Sequence, residues 1–290
     1  MRLAASAILS LAMTFSAFCV ACPAVSAHAQ ATHWKTASCQ AAAGDQHSLF
    51  SWGHQERVCE LRTTTLGPDR PEVAVSAENG SIAVTGEDRS DILVEARVEA
   101  WAGSVAAAKD LLGDIVIDTA AGRIHDHGPS SFFGNSGYAV SYRLRTPHHL
   151  SVNLNTANGG IEISHLDGDI RFNTTNGGVS LDALAGDVHG QTVNGRIKVA
   201  LTGDRWSGSG LKAGTTNGGV TLTIPDHYAA HLEARTVNGR VRTHIPVTVQ
   251  GDITDHLSAD LNGGGPTIHV ETTNGGVQIE RSEGGQTASQ

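Results

Sequence analysis

Histidine offers the widest scope for chemistry in this sequence, with 15 copies in 290 residues. The densest groups are His125-Asp126-His127 and His148-His149. Alternate residues of a strand point to one face, so His125 and His127 would be placed to share a metal ion. Glycines and prolines flank both groups, which is typical of solvated surface segments. His125 and His127 are therefore the candidate metal ligands, but surface histidine is the favoured interpretation, and no cofactor is expected.

A recurring Gly-Asp pair is a second candidate for ion binding. It stands at Gly168-Asp169, Gly186-Asp187 and Gly203-Asp204. Calcium-binding β-rolls need a nine-residue Gly-Gly-x-Gly-x-Asp pattern, whereas a single aspartate recurs here in each longer unit. Glycine and aspartate also favour tight turns, so these pairs are predicted to be turns rather than calcium ligands.

The sequence contains no familiar catalytic motif. It has no Gly-x-Ser-x-Gly elbow, no His-Glu-x-x-His pair and no phosphate-binding loop. A β-helical polysaccharide lyase or hydrolase would cluster its acids on one face, but the outward acids Glu162, Asp182 and Glu233 are spread along the chain. A non-enzymatic protein is therefore predicted, with such a carbohydrate-active enzyme as the alternative.

The elements that would position any site are marked by a repeated turn, Thr-x-Asn-Gly, followed by alternating apolar residues. Its copies are TANGGIEI, TTNGGVSL, TVNGRIKV, TTNGGVTL, TVNGRVRT and TTNGGVQI. A repeat of this kind predicts short strands that stack on their neighbours. With an earlier Asn-Gly pair, the predicted structural turns are Asn79, Asn158, Asn176, Asn194, Asn217, Asn238 and Asn274.

The spacing of these asparagines favours an all-β solenoid. Asn158, Asn176 and Asn194 are 18 residues apart, and the next two intervals are 23 and 21 residues, which suggests bulged or inserted coils. Asparagine and glycine tolerate the positive φ of tight turns. We predict a single-stranded β-helix-like stack with coils about 4.8 Å apart. The recurring threonines would hold the coils in register, although an ice-binding threonine face is another interpretation. A meander of Asn-Gly hairpins remains the structural alternative.

The same segments resemble the putative adhesin family, bacterial proteins that repeat a T-x-N-G-x-I/V turn. The resemblance runs from Glu72 to Glu280 and includes the strand YAVSYRLRTP and the closing TTNGGVQIE. One short helix, Ser104–Leu112 with Ser104 as its N-cap, falls at the family's position. The resemblance implies a β-solenoid and a surface protein of unknown function, and it supplies no catalytic residues.

Composition and charge exclude two classes of partner. The net charge of −9 excludes a simple basic surface for nucleic acid and disfavours attraction to anionic lipid. Aromatic residues make up only 4% of the chain, which favours a slender aliphatic core over a broad sandwich.

The N-terminal region indicates export. Residues 1–29 are predicted to be a secretory signal, with Arg2, an apolar run and an Ala27-His28-Ala29 cleavage site. No later apolar run is long enough to span a bilayer, so no transmembrane segment is expected in the mature chain. Residues 30–70 would form an extension in which Cys39 and Cys59 pair as a disulfide, as is common in oxidising compartments. Residues 71–280 would form the solenoid and 281–290 a disordered tail.

These observations predict an exported, non-enzymatic binding or scaffold protein of the cell envelope. Its location would be the periplasm or the cell surface, and its partner an unidentified envelope protein or glycan. The alternatives are a structural component of the envelope stress response without a soluble ligand, and the carbohydrate-active enzyme already considered.

Overall fold

The computed structural model describes residues 33–39, 55–67, 70, 72–129, 136–246 and 254–282. The predicted signal at residues 1–29, residues 40–54 of the extension and most of the predicted tail lie outside this range. All the described residues belong to one compact unit, Thr32–Gln290.

This part of the chain is built almost entirely of strands, with one α-helix. The strands are β1 (Lys35–Ser38), β2 (Glu56–Leu66), β3 (Glu72–Asn79), β4 (Ile82–Glu87), β5 (Ile92–Ala102), β6 (Val116–Asp118), β7 (Arg123–His127), β8 (Gly137–Pro147), β9 (Ser151–Asn158), β10 (Ile161–Ser164), β11 (Asp167–Asn176), β12 (Val179–Asp182), β13 (Ala185–Asn194), β14 (Ile197–Ala200), β15 (Gly210–Asn217), β16 (Val220–Ile224), β17 (Ala230–Asn238), β18 (Val241–Thr243), β19 (His256–Leu261), β20 (Thr267–Asn274) and β21 (Val277–Arg281). A 3-10 turn spans Ala120–Gly122, and the helix α1 spans Val105–Asp114. Ser104 caps the helix as predicted, and the helix ends two residues later than expected.

The strands form two sheets around one apolar core. The eleven-stranded sheet has the order β1-β2-β5-β8-β4-β10-β12-β14-β16-β21-β18, and the ten-stranded sheet has the order β19-β17-β20-β15-β13-β11-β9-β3-β7-β6. Buried residues of both sheets form a single cluster. Each short strand contributes two or three alternate apolar side chains, as the sequence pattern predicts. Only the stack as a whole has a core, because a single strand pair cannot enclose one.

The repeating unit joins one strand of each sheet at an Asn-Gly corner, and we call this unit a rung. Strands on the two sides of a corner do not pair with each other. Instead β11 pairs in parallel with β9 and β13, and β12 pairs in parallel with β10 and β14. The predicted β-solenoid is confirmed, and the alternative hairpin meander is wrong because hairpins would require antiparallel partners across each turn.

The order of the rungs differs from their order in the sequence. The described residues form seven rungs, which along the stack are β3–β4, β9–β10, β11–β12, β13–β14, β15–β16, β20–β21 and β17–β18. The last rung of the chain, β20–β21, therefore lies between two earlier rungs and pairs with both. The 21-residue interval from Asn217 to Asn238 does not join neighbouring rungs, because Asn274 lies between them.

The Asn-Gly corners contain glycine because adjacent rungs approach closely there. The expectation of positive φ was wrong for the asparagines, since none of the seven has positive φ. Among the corner glycines only Gly80 does, with a φ of 149°. A Cβ atom on Gly177 would lie 1.9 Å from the carbonyl oxygen of Gly159 in the rung before it. The same contact recurs between successive members of the glycine column, which comprises Gly80, Gly159, Gly177, Gly195, Gly218, Gly275 and Gly239.

The second bend of each rung is not made by the Gly-Asp pairs that the sequence suggested. Gly168-Asp169 and Gly186-Asp187 lie inside strands β11 and β13. The chain turns before them, at His165 and Ala183, with φ values of 56° and 51°. Gly203 alone stands in a bend between strands, with a φ of 75°. The turn prediction was therefore wrong for the first two pairs.

Two columns of side chains hold the rungs in register. In the asparagine column each Nδ2 donates to the Oδ1 of the preceding rung at 2.8–2.9 Å, in the order Asn79, Asn158, Asn176, Asn194, Asn217, Asn274 and Asn238. In the threonine column each hydroxyl donates to a corner glycine carbonyl, as Thr174 does to Gly159 at 2.9 Å. These threonines are buried, so the hydrogen bonds also satisfy polar atoms that water does not reach.

Substitution of Asn176 by valine is expected to lower the free energy of unfolding by about 1–3 kcal/mol, because the variant loses two hydrogen bonds. Asn176 donates to Asn158 and accepts from Asn194, both at 2.9 Å. Thr175→Val, at the exposed neighbouring position, is the control and is expected to change stability by less than about 0.5 kcal/mol. Urea unfolding followed by circular dichroism measures both, and equal midpoints for the two variants would contradict a stabilising role for the column.

The N-terminal extension joins the stack through the eleven-stranded sheet. β2 pairs antiparallel with the whole of β5, and β1 pairs with β2. Cys39 and Cys59 are joined by a disulfide, with their Cα atoms 5.4 Å apart. Arg62 of β2 donates to the carbonyls of Leu112 and Ile115 and so satisfies the C-terminal end of α1.

Candidate functional site

The predicted metal ligands lie at the far end of the ten-stranded sheet. His125 and His127 project from one face of β7, both exposed, with ring centroids 6.1 Å apart. Asp126 points the other way and accepts a hydrogen bond from the Tyr142 hydroxyl at 3.0 Å. Burial of its carboxyl raises the pKa of Asp126. Across the described ranges, no three His, Cys, Asp or Glu side chains come close enough to hold a metal ion.

The other histidine pair is divided between separate partners. His148 Nδ1 lies 2.9 Å from the carbonyl oxygen of His165, and its Nε2 lies 3.3 Å from Asp88. His149 contacts Asp167 at 3.0 Å. The two rings therefore do not converge on one ion.

The three acids considered for catalysis are not assembled into one site. Glu162 and Asp182 lie on neighbouring strands of the eleven-stranded sheet, where register pairs them with Ser180 and Ser164. Glu233 lies on the other sheet and forms a hydrogen bond with His269 at 2.8 Å.

The outer face of the ten-stranded sheet carries polar side chains in register. In one row, which we call the basic row, Arg171, His189, Lys212 and His269 occupy matching positions on β11, β13, β15 and β20. Two residues further along the strands lies the amide row, Asn155, Asn173 and Gln191. Parallel strands lie about 4.8 Å apart, so each row presents one polar group at every step of the stack.

Between these rows lies a groove of about 340 Å³, which we call the central groove. It forms because Gly214 continues the amide row without a side chain, between Gln191 on one strand and Glu271 on the next. The groove is lined by Asn153, Asn155, Arg171, Phe172, Asn173, His189, Gly190, Gln191, Lys212, Gly214 and Glu271. A second depression of about 280 Å³ shares Gln191, Gly214 and Glu271 and extends towards Arg235 and Val237 of β17.

Most of the charge around the central groove is internally paired. Arg171 contacts Asp169 at 3.1 Å, and His189 contacts Asp187 at 2.7 Å. Glu271 lies 3.3 Å from His269 Nε2. Lys212 is exposed and forms no ion pair with any described residue. The groove thus offers hydrogen-bond donors and acceptors with little net charge.

A chain of acids and histidines joins strands β19, β17 and β20 and ends at the groove. It runs from Asp260 through His231, Glu233 and His269 to Glu271, with its shortest contacts 2.7 Å and 2.8 Å long. The hydrogen bond to Asp260 raises the pKa of His231. The hydrogen bond to His269 lowers the pKa of Glu233.

These shifts predict how stability depends on pH. A histidine whose pKa is raised by folding stabilises the fold at pH values below its unfolded-state pKa of about 6.5. This contribution is lost as the pH rises through the folded-state pKa. Glu233, whose pKa is lowered by folding, stabilises the fold at pH values above its unfolded-state pKa of 4.5. This contribution is lost as the pH falls through the folded-state pKa. We therefore expect His231→Gln to remove a small part of the stability at pH 6 and almost none at pH 9, because exposed ion pairs contribute little. Urea titrations at both pH values measure the difference, and an equal loss at both would contradict it.

Sequence reasoning missed the central groove, although part of its signal was present. Asn153 and Arg171, like Arg171 and His189, are separated by the same 18 residues as the corner asparagines, so the period places them side by side. Lys212 follows His189 by the same 23 residues that separate Asn194 from Asn217, so this spacing also places it in the row. Glu271 could not be found in this way, because the rung of β20 enters the stack out of sequence order.

No helix in the described segments has the length and apolar character needed to cross a membrane. This finding concerns helices alone.

Comparison with known proteins identifies a family. A sequence profile described as Toastrack DUF4097 matches residues 69–280. No curated protein matches the chain. Among solved structures, a "putative cell adhesion protein" of Clostridium sporogenes is 11% identical, with 79% of this chain and 100% of that chain covered and a TM-score of 0.42.

Two further solved structures are similar at comparable levels. A "putative adhesin" of Bacteroides fragilis is 12% identical over 76% of this chain and 96% of its own, with a TM-score of 0.33. A "putative lipid binding protein" of Parabacteroides distasonis is 9% identical over 76% and 96%, with a TM-score of 0.27. Similarities of this size carry no argument about a ligand. The profile match spans most of the chain and its whole rung stack, and the protein belongs to the Toastrack DUF4097 family.

Proposed function

We propose that this chain is an exported, non-enzymatic binding or scaffold protein of the bacterial cell envelope, and that it binds through the outer face of the ten-stranded sheet. The observation that carries the proposal is the set of polar rows that stay in register over β9, β11, β13, β15 and β20. These rows place hydrogen-bonding groups at successive strands along a groove, where one ligand could contact several of them.

The rigidity of the stack supports a binding role. The rows stand on strands fixed by parallel pairing and by the asparagine and threonine columns. Side chains held on such a scaffold lose little conformational entropy when a ligand binds, so weak individual contacts can add up. An extended, regular face also suits a partner that is itself extended.

Two further observations support export and the absence of catalysis. The Cys39–Cys59 disulfide is typical of oxidising compartments outside the cytosol. None of the acids Glu162, Asp182 and Glu233 lines the central groove. The pair of carboxyl groups that a glycosidase uses on its substrate is therefore not offered there by these residues.

Sedimentation of the purified protein with isolated bacterial envelopes tests the proposal. The face variant combines Asn155→Ala, Asn173→Ala and Gln191→Ala, and the matched control combines Glu162→Ala, Ser180→Ala and Lys198→Ala on the other sheet. We expect the bound fraction to fall at least about fivefold for the face variant and to stay unchanged for the control.

Three other outcomes would overturn the proposal. Equal binding by both variants would exclude the ten-stranded face. Failure of the wild-type protein to bind any envelope fraction would favour the structural component without a ligand. Release of soluble sugar from the envelopes, lost in either variant, would favour the carbohydrate-active enzyme.

A further inference from the structure

We propose that the central groove binds a neutral, hydroxyl-rich glycan that lies along the stack, across the strands. This inference rests on the proposed function and names the class of ligand for the same face. It follows from the hydrogen-bonding groups in the groove, from their charge, and from the shape and length of the depression.

The hydrogen-bonding groups match sugar hydroxyls. Asn173 and Gln191 are exposed, and their side chains form no hydrogen bond with other described residues. Each amide offers two N–H donors and one carbonyl acceptor, and a sugar hydroxyl both donates and accepts. Lys212 adds a donor on one side of the amide row, and Glu271 adds an acceptor at its end. A row of such groups can engage a hydroxyl-rich chain at each successive strand.

The charge of the groove favours a neutral ligand over a polyanion. Arg171 and His189 are already paired with Asp169 and Asp187, which leaves Lys212 and Glu271 in the groove lining as one positive and one negative charge. The chain as a whole has a net charge of −9, so its long-range field repels an acidic polymer. Binding through hydrogen bonds between a neutral glycan and these groups would depend little on salt.

The shape favours an extended chain rather than a small molecule or a protein. The central groove and the neighbouring depression together reach from β9 to β17, which are five strand intervals apart and thus about 24 Å. Protein interfaces usually depend on aromatic or apolar anchors that fill a pocket. Among the described residues that line the groove, Phe172 is the one Phe, Tyr or Trp, and its side chain is 3% exposed because it packs beneath Gly190.

Gly214 allows the groove to be blocked without disturbing the core. It lies on the outer face at ordinary φ, and a Cβ atom there would meet only the flexible side chain of Glu271, at 3.1 Å. Gly214→Gln is therefore expected to fold, since glycine is itself unfavourable inside a strand. Ser180→Gln places the same side chain on the opposite sheet and is the matched control.

The experiment is an NMR titration of the ¹⁵N-labelled protein with cellohexaose, maltohexaose and chitohexaose, and separately with hexagalacturonate. We expect at least one neutral hexasaccharide to shift the side-chain amide signals of Asn173 and Gln191. Gly214→Gln should weaken that binding at least tenfold and Ser180→Gln less than twofold, and 0.5 M NaCl should leave the wild-type affinity unchanged. Gln191→Ala, which truncates an exposed side chain, is the second variant and should weaken binding at least threefold.

The remaining outcomes overturn the inference in distinguishable ways. Tighter binding of hexagalacturonate that falls with salt would make the groove a site for anionic glycans. If no hexasaccharide shifts these signals while envelopes still bind the wild-type protein, the ligand class is wrong and the proposed function stands. Envelope binding that is lost after protease treatment of the envelopes would indicate a protein partner.

Discussion

Replacing Gly177 with alanine is expected to lower the free energy of unfolding by more than about 3 kcal/mol, a loss seen only for severe steric conflict or cavity formation. The added Cβ would lie 1.9 Å from the carbonyl oxygen and 2.4 Å from the carbonyl carbon of Gly159. Both are backbone atoms, so no side-chain rotation relieves the contact. The two rungs would have to separate, which would also break the hydrogen bond from Thr174 to Gly159.

The neighbouring glycine provides a matched control. A Cβ atom on Gly178 would meet only the carbonyl oxygen of Arg196, at an ordinary 3.4 Å. Two other rungs carry Arg196 and Arg240 at the corresponding position, so the fold already accepts a side chain there. We expect Gly178→Ala to unfold within about 0.5 kcal/mol of the wild type. Urea unfolding followed by circular dichroism measures both variants, and similar midpoints would show that close approach does not explain the glycine column.

Replacing Val277 with aspartate is expected to be nearly as damaging, because Val277 lies inside the stack although its rung follows the others in sequence. Its side chain is 1% exposed, and its strand β21 pairs with β16 on one side and β18 on the other. A charge buried without a partner costs several kcal/mol, so a loss of more than about 3 kcal/mol is expected.

Val241→Asp is the matched control for the order of the rungs. Val241 stands opposite Val277 in register, but its strand β18 is the outermost of the eleven-stranded sheet. Val241 is itself buried, at 4% exposed, but a strand of the sheet flanks it on one side only, so we expect a smaller loss than at Val277. If the rungs stacked in sequence order, β21 would be the outermost strand and the ranking would be reversed. Thermal unfolding of the two variants therefore tests the topology directly.

Much of the stack could be predicted from the sequence because the 18-residue period and the strand alternation agree. Asn158, Asn176 and Asn194 lie above one another, as their 18-residue spacing predicts, and the apolar residues that follow them in sequence point into the core. The place of the last rung could not be predicted. Its turn TTNGGVQI differs little from TTNGGVTL, so either neighbour offers it the same apolar column and the same hydrogen bonds.

The sequence also did not reveal why the corners contain glycine. An Asn-Gly pair is equally compatible with a positive-φ turn and with close approach of two backbones. One clue was available, since arginine replaces the second glycine at Arg196 and Arg240 but never the first. For the central groove, the period predicts the neighbours of Arg171, whereas the gap at Gly214 becomes visible only once β20 is known to follow β15.

The interior position of β20–β21 has a consequence for biogenesis. Rungs up to β15–β16 can assemble as the polypeptide emerges, each on the one made before it. After that, the growing structure presents the open edges of β15 and β16 until residues 267–281 arrive to cover them. Unpaired edges of this kind recruit foreign strands. A protein released from its ribosome or translocon in stages would thus pass through a vulnerable interval that ends only when residues 267–281 are free.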